Sequence, residues 1–394
     1  MITKHAGKAS SNLFDISGLS KAAIRQIKGS YMNSVKYGLL RLAYEQFPDR
    51  KLFCPVPFTR MEIKRGGKTN LCGWLKKSPG NIHQGSLMRL WNSPAAQEIR
   101  GSILDGTFRY CDLTNCPYFA SGKLHLQKDV VGDQYKEIIR DRRTKMDTMK
   151  LWLSFDHRCN IRCVSCRNSH AQISKEERTE NQMIMESVKR DLAYITTLGT
   201  SGKGEPFVSP VIRDFLYNFD SSEYPNLKLF ILTNSQLLTH ECWKRMEKAH
   251  QAISSVQVSI DAATKKTYEM IRIGAVFEKL MENLNFLSKL RAQNAIDKLI
   301  ISFVVNALNF SEMKQFVNMG FEFNCDYVYF AFMSNWGIFT NEEYRKMAVH
   351  RPEHKQYREL NEALADPLFH DPRIFIRTPY GFSRDHILKE QIFI

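Results

Sequence analysis

The sequence has no long apolar run. Nowhere does it approach the ~18 consecutive apolar residues that a membrane span requires, and the opening MITKHAGKASSNLFD has no apolar core of the signal-peptide kind. A membrane protein and a secreted precursor are therefore not expected, and the expected setting is cytoplasmic. No internal repeat or low-complexity tract is visible. The eleven histidines are scattered without a paired metal motif. There is no nucleophile–base signature and no complete phosphate loop, so those chemistries find no support. No RNA-binding motif and no basic run with interleaved aromatics occurs, which makes nucleic acid the weaker expectation for a partner.

What is present in excess is positive charge and grouped cysteine. Residues 1–150 carry 26 Lys and Arg against 12 Asp and Glu, a surplus of +14, whereas the remainder balances at 30 against 29. The surplus can be a basic solvated surface. It can equally meet an anionic partner such as an acidic metabolite, a phosphorylated sugar or a peptide. A disulfide framework is not expected in a cytosolic chain of 394 residues, so its nine cysteines are read by their grouping. Cys54, Cys72, Cys111 and Cys116 form one set, and Cys159, Cys163 and Cys166 a second. Cys242 and Cys325 stand alone and read as small buried apolar residues.

Hydrophobic periodicity divides the chain. Residues 20–46 have helical spacing. Residues 51–120 are broken by Pro and Gly and include one or two short helices. Residues 121–149 form a charged, helical connector. From residue 150, short β-branched runs alternate with amphipathic stretches. Strands are expected at 150–156, 194–200, 227–233, 255–261, 299–305 and 326–332. Ser174 with Glu177 reads as a capping box, Thr239 and Ser311 as N-caps, and Gly320 as a residue just past a helix end. Such alternation implies an α/β fold with a parallel sheet and right-handed crossovers. Six β/α units imply a partial (β/α)6 TIM-like barrel, whose site lies at the C-terminal strand ends. The expected division is 1–50 (helical segment), 51–120 (Cys-rich domain), 121–149 (connector), 150–335 (barrel) and 336–394 (extension). In the extension, residues 350–369 read as a helix and 373–382 as an extended strand, and either would cover the barrel mouth.

Directly after the first expected strand comes Cys159-Asn-Ile-Arg-Cys163-Val-Ser-Cys166. Three thiolates leave one iron of a 4Fe–4S cluster without a protein ligand, and they suit a four-coordinate structural zinc site poorly. This loop resembles the defining motif of the radical S-adenosylmethionine superfamily. The residue before the last cysteine, commonly aromatic there, is Ser165 here. The resemblance implies that the amino and carboxylate groups of S-adenosylmethionine bind the open iron. Reductive cleavage then yields a 5′-deoxyadenosyl radical that takes hydrogen from a substrate. Gly202-Lys203-Gly204-Glu205-Pro206, after the second strand, is similar to the family's GGEP motif. Asn234 follows the third strand, and Ser259 and Asp261 end the fourth. Thr267-Tyr268-Glu269, Arg272 and Phe277 match a further family stretch. The resemblance thus implies S-adenosylmethionine contacts from Gly202, Gly204, Glu205, Pro206, Asn234, Ser259, Asp261 and Arg272. Without it, the Gly/Pro stretch is a turn, Asp261 a cap and Arg272 a surface ion pair.

The first cysteine set looks like the SPASM and twitch auxiliary-cluster domains. Twelve residues separate Cys54 from Gly67 and four separate Gly67 from Cys72, and Cys111 and Cys116 close the set. Four cysteines suffice for one auxiliary 4Fe–4S cluster, and a structural zinc site is the alternative. In the family such a domain usually follows the barrel, so the order here is permuted and the set reduced. The implied function is a radical enzyme performing oxidation or epimerisation, served by an electron donor such as flavodoxin or ferredoxin. The expected substrate is a small, acidic or phosphorylated molecule such as a saccharide, with a peptide as the alternative. A rival of another class is an iron–sulfur electron-transfer or cluster-carrier protein without catalysis.

Overall fold

The computed structural model describes residues 48–120, 124–200, 203–335, 337–378 and 381–382, with Tyr37 and Gly122. The expected helix over 20–46, apart from Tyr37, and Gly202 lie outside the described residues. Fifteen strands follow in chain order: β1 Leu52–Phe53, β2 Arg60–Lys64, β3 Lys68–Asn70, β4 Gly80–Asn81, β5 His125–Leu126, β6 Met149–Ser154, β7 Arg162–Cys163, β8 Ile195–Thr200, β9 Lys228–Thr233, β10 Ile253–Ser259, β11 Arg272–Ile273, β12 Lys298–Val305, β13 Tyr327–Phe332, β14 Ile374–Thr378 and β15 Gly381–Phe382.

The six strands expected from the alternating pattern are β6, β8, β9, β10, β12 and β13. They pair parallel in that order, with helices between them, as a partial barrel requires. The sheet carries one more parallel strand on each side. β2, from the Cys-rich region, pairs with β6 in the register Arg60↔Lys150, and β14 pairs with β13. The sheet is thus shared between the Cys-rich region and the barrel. The tail read as extended supplies β14 and β15, which pair antiparallel. The stretch read as a helix holds Tyr357–Leu364. The connector holds β5, paired with β1, and the helix Asp133–Arg140.

Alternation decides which face each side chain takes. Met61 and Ile63 join the outer core beneath the helices, with Leu151, Leu153, Val256 and Val258. Phe230, Ile300 and Tyr329 form a separate cluster on the inner face, with Phe375 and Leu232 packed on it. Cys242 and Cys325 are buried, as small apolar residues should be. Among the described residues no helix is long and apolar enough to cross a membrane.

Local signals fare unevenly. Ser174 caps the helix Lys175–Arg190 by accepting from the Glu177 amide at 3.2 Å, but the Glu177 carboxylate turns to Arg65 (2.7 and 2.8 Å) rather than completing a capping box. Thr239 caps His240–Lys244 as expected. Ser311 does not cap, because a 3₁₀ turn, Phe310–Glu312, leads straight into the helix Met313–Glu322. Gly320 sits inside that helix and does not end it. A Cβ there would lie 2.4 Å from Val328 Cγ2, so glycine serves close helix–sheet packing. Asn324, at φ 52°, takes the left-handed position past the helix end.

Candidate metal centres

The first centre is the loop that β6 delivers at the barrel's strand ends. Asp156, buried, pairs with Arg158, and the Arg158 carbonyl accepts from the Glu205 amide at 2.8 Å. Cys163 lies in the short β7–β11 ladder, in register with Arg272, and Val164 N donates to Ile271 O at 2.9 Å. The loop is therefore strapped to a second loop from the far side of the site. Two sulfurs have nitrogen donors beside them. Asn234 Nδ2 is 3.6 Å from Cys159 Sγ, and Arg167 Nη2 is 3.5 Å from Cys166 Sγ. Arg167 is itself fixed by the carbonyls of His157 (2.6 Å) and Lys203 (2.7 Å). Burial pushes the Cys163 thiol up to about 12, against the pull of Arg272, and raises Cys159 as well. Iron binding must displace those protons, which couples site formation to pH. Three cysteines on one loop, with amide and guanidinium donors at the sulfurs, fit a thiolate-ligated cluster.

Gly204, Glu205, Pro206, Asn234, Ser259, Asp261 and Arg272 all lie at the strand ends around this loop, yet several are spent on the protein itself. A Cβ on Gly204 would lie 2.3 Å from the Asp156 carbonyl oxygen, so the close approach is to the cysteine loop. Glu205 is buried. It accepts from Thr233 Oγ1 (2.7 Å) and Asn234 N (2.8 Å), tying the β8 loop to the end of β9. Burial raises its carboxyl to about 7 despite those bonds. Asp261, at φ 65°, accepts from Val304 N (2.7 Å) and Arg272 Nη2 (2.8 Å), and Arg272 Nε donates to Ile260 O at 2.8 Å. Burial works against the Arg272 charge, but Asp261 and the Cys163 thiol more than offset it. Ser259 remains half-buried, 3.4 Å from the Ser302 hydroxyl. Sequence reasoning missed Arg167 and Asn309. Arg167 only follows a cysteine, and Asn309, whose amide clamps the Asp261 and Val304 carbonyls, lies 48 residues from Asp261.

The second centre gathers Cys54, Cys72, Cys111 and Cys116. Cys54 precedes the turn Val56–Thr59, and Cys72 follows β3. Cys111 is held by the Leu75 bridge and by the Tyr37 hydroxyl, which donates to its carbonyl. Cys116 precedes the helix Pro117–Ala120. All four line one apolar space with Trp74, Leu75, Phe108 and Phe119. Burial raises every thiol, Cys72 to about 11, and the Trp74 amide opposes the shift there. Among the described residues no three Cys, His, Asp or Glu side chains close on a point that would hold a single ion. A donor set of four thiols around one apolar space fits a cluster.

Comparison with known proteins agrees with this geometry. Residues 153–319 match the Radical SAM superfamily, and residues 54–118 match SPASM, an iron–sulfur cluster-binding domain. The chain thus carries a radical SAM region preceded by a SPASM domain. A GTP 3′,8-cyclase of Clostridium botulinum (strain Hall) is 24% identical over 177 residues, covering 43% of this chain and 51% of the relative. The chain spans about half the length of the curated relatives it matches. Among solved structures, Streptococcus suis SuiB bound to precursor peptide SuiA gives a TM-score of 0.41 at 15% identity, covering 62% of this chain and 51% of that one. TYW1 with a lysine–pyruvate adduct gives 0.36 at 17%, covering 54% and 70%.

Proposed function

We propose that this chain is a radical S-adenosylmethionine enzyme acting on a small anionic molecule. The observation that carries the reading is the Cys159–Cys166 loop, seated at the strand ends and strapped to Arg272, with donors facing two of its sulfurs. When bound, a reduced 4Fe–4S cluster supplies the electron that splits a carbon–sulfur bond of S-adenosylmethionine, giving the radical that takes hydrogen from the substrate.

The chain's own residues hold and shape this site. Cys159, Cys163 and Cys166 ligate the cluster. Arg167 and Asn234 hydrogen-bond two of the sulfurs and favour their thiolate form. Gly202, Gly204 and Pro206 shape the backbone that receives the methionyl group, and Asn234 and Ser259 face the ligand from the strand ends. Glu205 and the Asp261–Arg272 pair act mainly as framework, fixing the loops on which those contacts depend. Cys54, Cys72, Cys111 and Cys116 would hold an auxiliary 4Fe–4S cluster, which would supply an electron acceptor if the outcome is an oxidation rather than an epimerisation. Four cysteines also suit structural zinc, and it is the match of residues 54–118 to an iron–sulfur cluster-binding domain that supports a cluster. The chain divides at 1–50, 51–120, 121–149, 150–335 and 336–394, with β2 of the second segment joining the barrel sheet. Seven of the nine cysteines in two metal sites accord with a cytoplasmic setting, with flavodoxin or ferredoxin as donor.

The relative named for GTP supports an anionic small molecule over a peptide, and the basic N-terminal third suits an anion of either kind. The test is anaerobic incubation of the reconstituted protein with dithionite and S-adenosylmethionine. Formation of 5′-deoxyadenosine and methionine, lost in Cys159→Ala, is expected. A loaded protein that forms neither product would be a carrier or electron-transfer protein.

A further inference from the structure

The inner face of the barrel carries two arginines that no step above uses. Arg60 begins β2 and points away from Met61 and Ile63, which lie in the outer core. Its guanidinium lies 4.7 Å from the centre of the Trp152 ring. Trp152 in turn faces Phe230, 6.4 Å away on the inner cluster, and is held there because residue 199 is glycine. A Cβ at Gly199 would come within 2.9 Å of the indole. Arg377 lies on β14 two positions after Phe375, whose ring packs on the same inner cluster, while Ile376 between them joins the outer core.

β2 and β14 are the outermost parallel strands of the sheet. Its curvature brings them back toward one another, and the helix Pro117–Ala120 packs against β15 across the seam. Arg60 then feels the charge of Arg377, and both feel Cys72 and Tyr118 beside the second centre. Two cations on one wall repel, and burial adds to the cost for each. The compensation is partial at Arg60, whose charge stays disfavoured, whereas at Arg377 the Tyr329 hydroxyl and its neighbours more than offset burial. Glu62 lies next to Arg60, but its carboxylate takes the Ser154 hydroxyl at 2.5 Å and Lys64 at 3.9 Å. Arg377 has the Tyr329 hydroxyl as a hydrogen-bond partner. Among the described residues none takes a hydrogen bond from the Arg60 guanidinium. Half-buried, with its fork unused and stacked on an aromatic face, it is preorganised for a planar or tetrahedral oxyanion.

We infer that Arg60 and Arg377 form an anion clamp inside the barrel, beside the auxiliary cysteines, that receives a carboxylate or phosphate group of the substrate. It rests on the proposed function only in calling that anion part of a substrate. One arginine comes from the N-terminal region and the other from the C-terminal strand, so the clamp exists only when both edges of the sheet are in place.

The test is equilibrium dialysis of reconstituted full-length protein against labelled inorganic phosphate and, separately, labelled acetate at matched ionic strength. Saturable binding is expected, weakened on the order of tenfold or more by Arg60→Gln and by Arg377→Gln, since each removes a charge-assisted bidentate contact. Tighter phosphate identifies a phosphoryl group as the natural occupant, and tighter acetate a carboxylate. Arg60→Lys and Arg377→Lys, which keep the charge but lose the fork, should bind between wild type and the Gln variants and guard against simple misfolding. Saturable binding that ignores both Gln substitutions, or no saturable binding of either ion, would overturn the clamp. Wild-type formation of 5′-deoxyadenosine is measured on the same preparation. Its failure would sink the radical reading and leave the anion result standing.

Discussion

Asp261 and Arg272 show how side chains at the strand ends can be engaged by the protein itself. Both are buried, and the Asp261 carboxylate is shared between Arg272 and the Val304 amide. Removing one partner of a buried pair leaves an uncompensated charge, at a cost of about 3–5 kcal/mol. Arg272→Met should therefore lose about that much in urea unfolding, and Arg272→Met with Asp261→Asn should recover a large part of it. A single variant as stable as wild type would mean that the pair contributes nothing. His350 is a second case. Its Nδ1 is buried without a partner, and its ring lies 5.2 Å from Phe332. Burial, aided by Arg351, lowers it to about 4 from an ordinary 6.5. The neutral ring is the one that fits. Its contribution is complete above pH 6.5 and is lost as pH falls from there toward 4, where the unfolded chain takes up the proton first. The drop in urea midpoint between pH 7 and pH 5 should be smaller in His350→Gln than in wild type. Equal drops would remove His350 from the acid response.

Among the elements, the β8 loop and the cysteine loop act as one. Glu205 N reaches Arg158 O, and Gly204 presses on Asp156 O. Gly204→Ala must push these loops apart. The variant should unfold cooperatively near the wild-type midpoint yet form 5′-deoxyadenosine at least about tenfold more slowly, since a misplaced reacting group costs rate steeply. Wild-type rates would show that the loop yields at little cost. The six central strands were legible because each is a short β-branched run ahead of a helical pattern. β2 was not. Its sequence RMEIK alternates charge with apolar residues, and its partner β6 lies about ninety residues on, so nothing local marks a parallel pairing. Ser311 and Gly320 misled for a related reason. Packing against the sheet, which sequence does not display, set the helix entry and required the glycine. The cysteine sets were legible from spacing alone. The use of Glu205 on Thr233 and Asn234, and of Asp261 on Arg272 and Val304, was not, because hydrogen-bond partners up to 43 residues apart leave no periodic trace.

For the whole molecule, the shared sheet makes the Cys-rich region part of the barrel. A fragment beginning at residue 141 would strip β2 from β6 and leave an unpaired parallel edge, which invites association with other chains. Such a fragment should elute from a sizing column as aggregate, whereas a monomeric, cooperatively folded fragment would show the two regions to be independent. The same sharing sets Cys72 near enough to the inner wall for its charge to act on Arg60 and Arg377, so the basic N-terminal third contributes Arg60 to the barrel's interior. The most direct test of two cluster sites in one sheet is the iron, sulfide and zinc content of anaerobically reconstituted protein, beside the variant with Cys159, Cys163 and Cys166 all changed to alanine. Two clusters predict about eight irons, falling to about four in the variant. Zinc without iron in the wild-type protein would contradict the account.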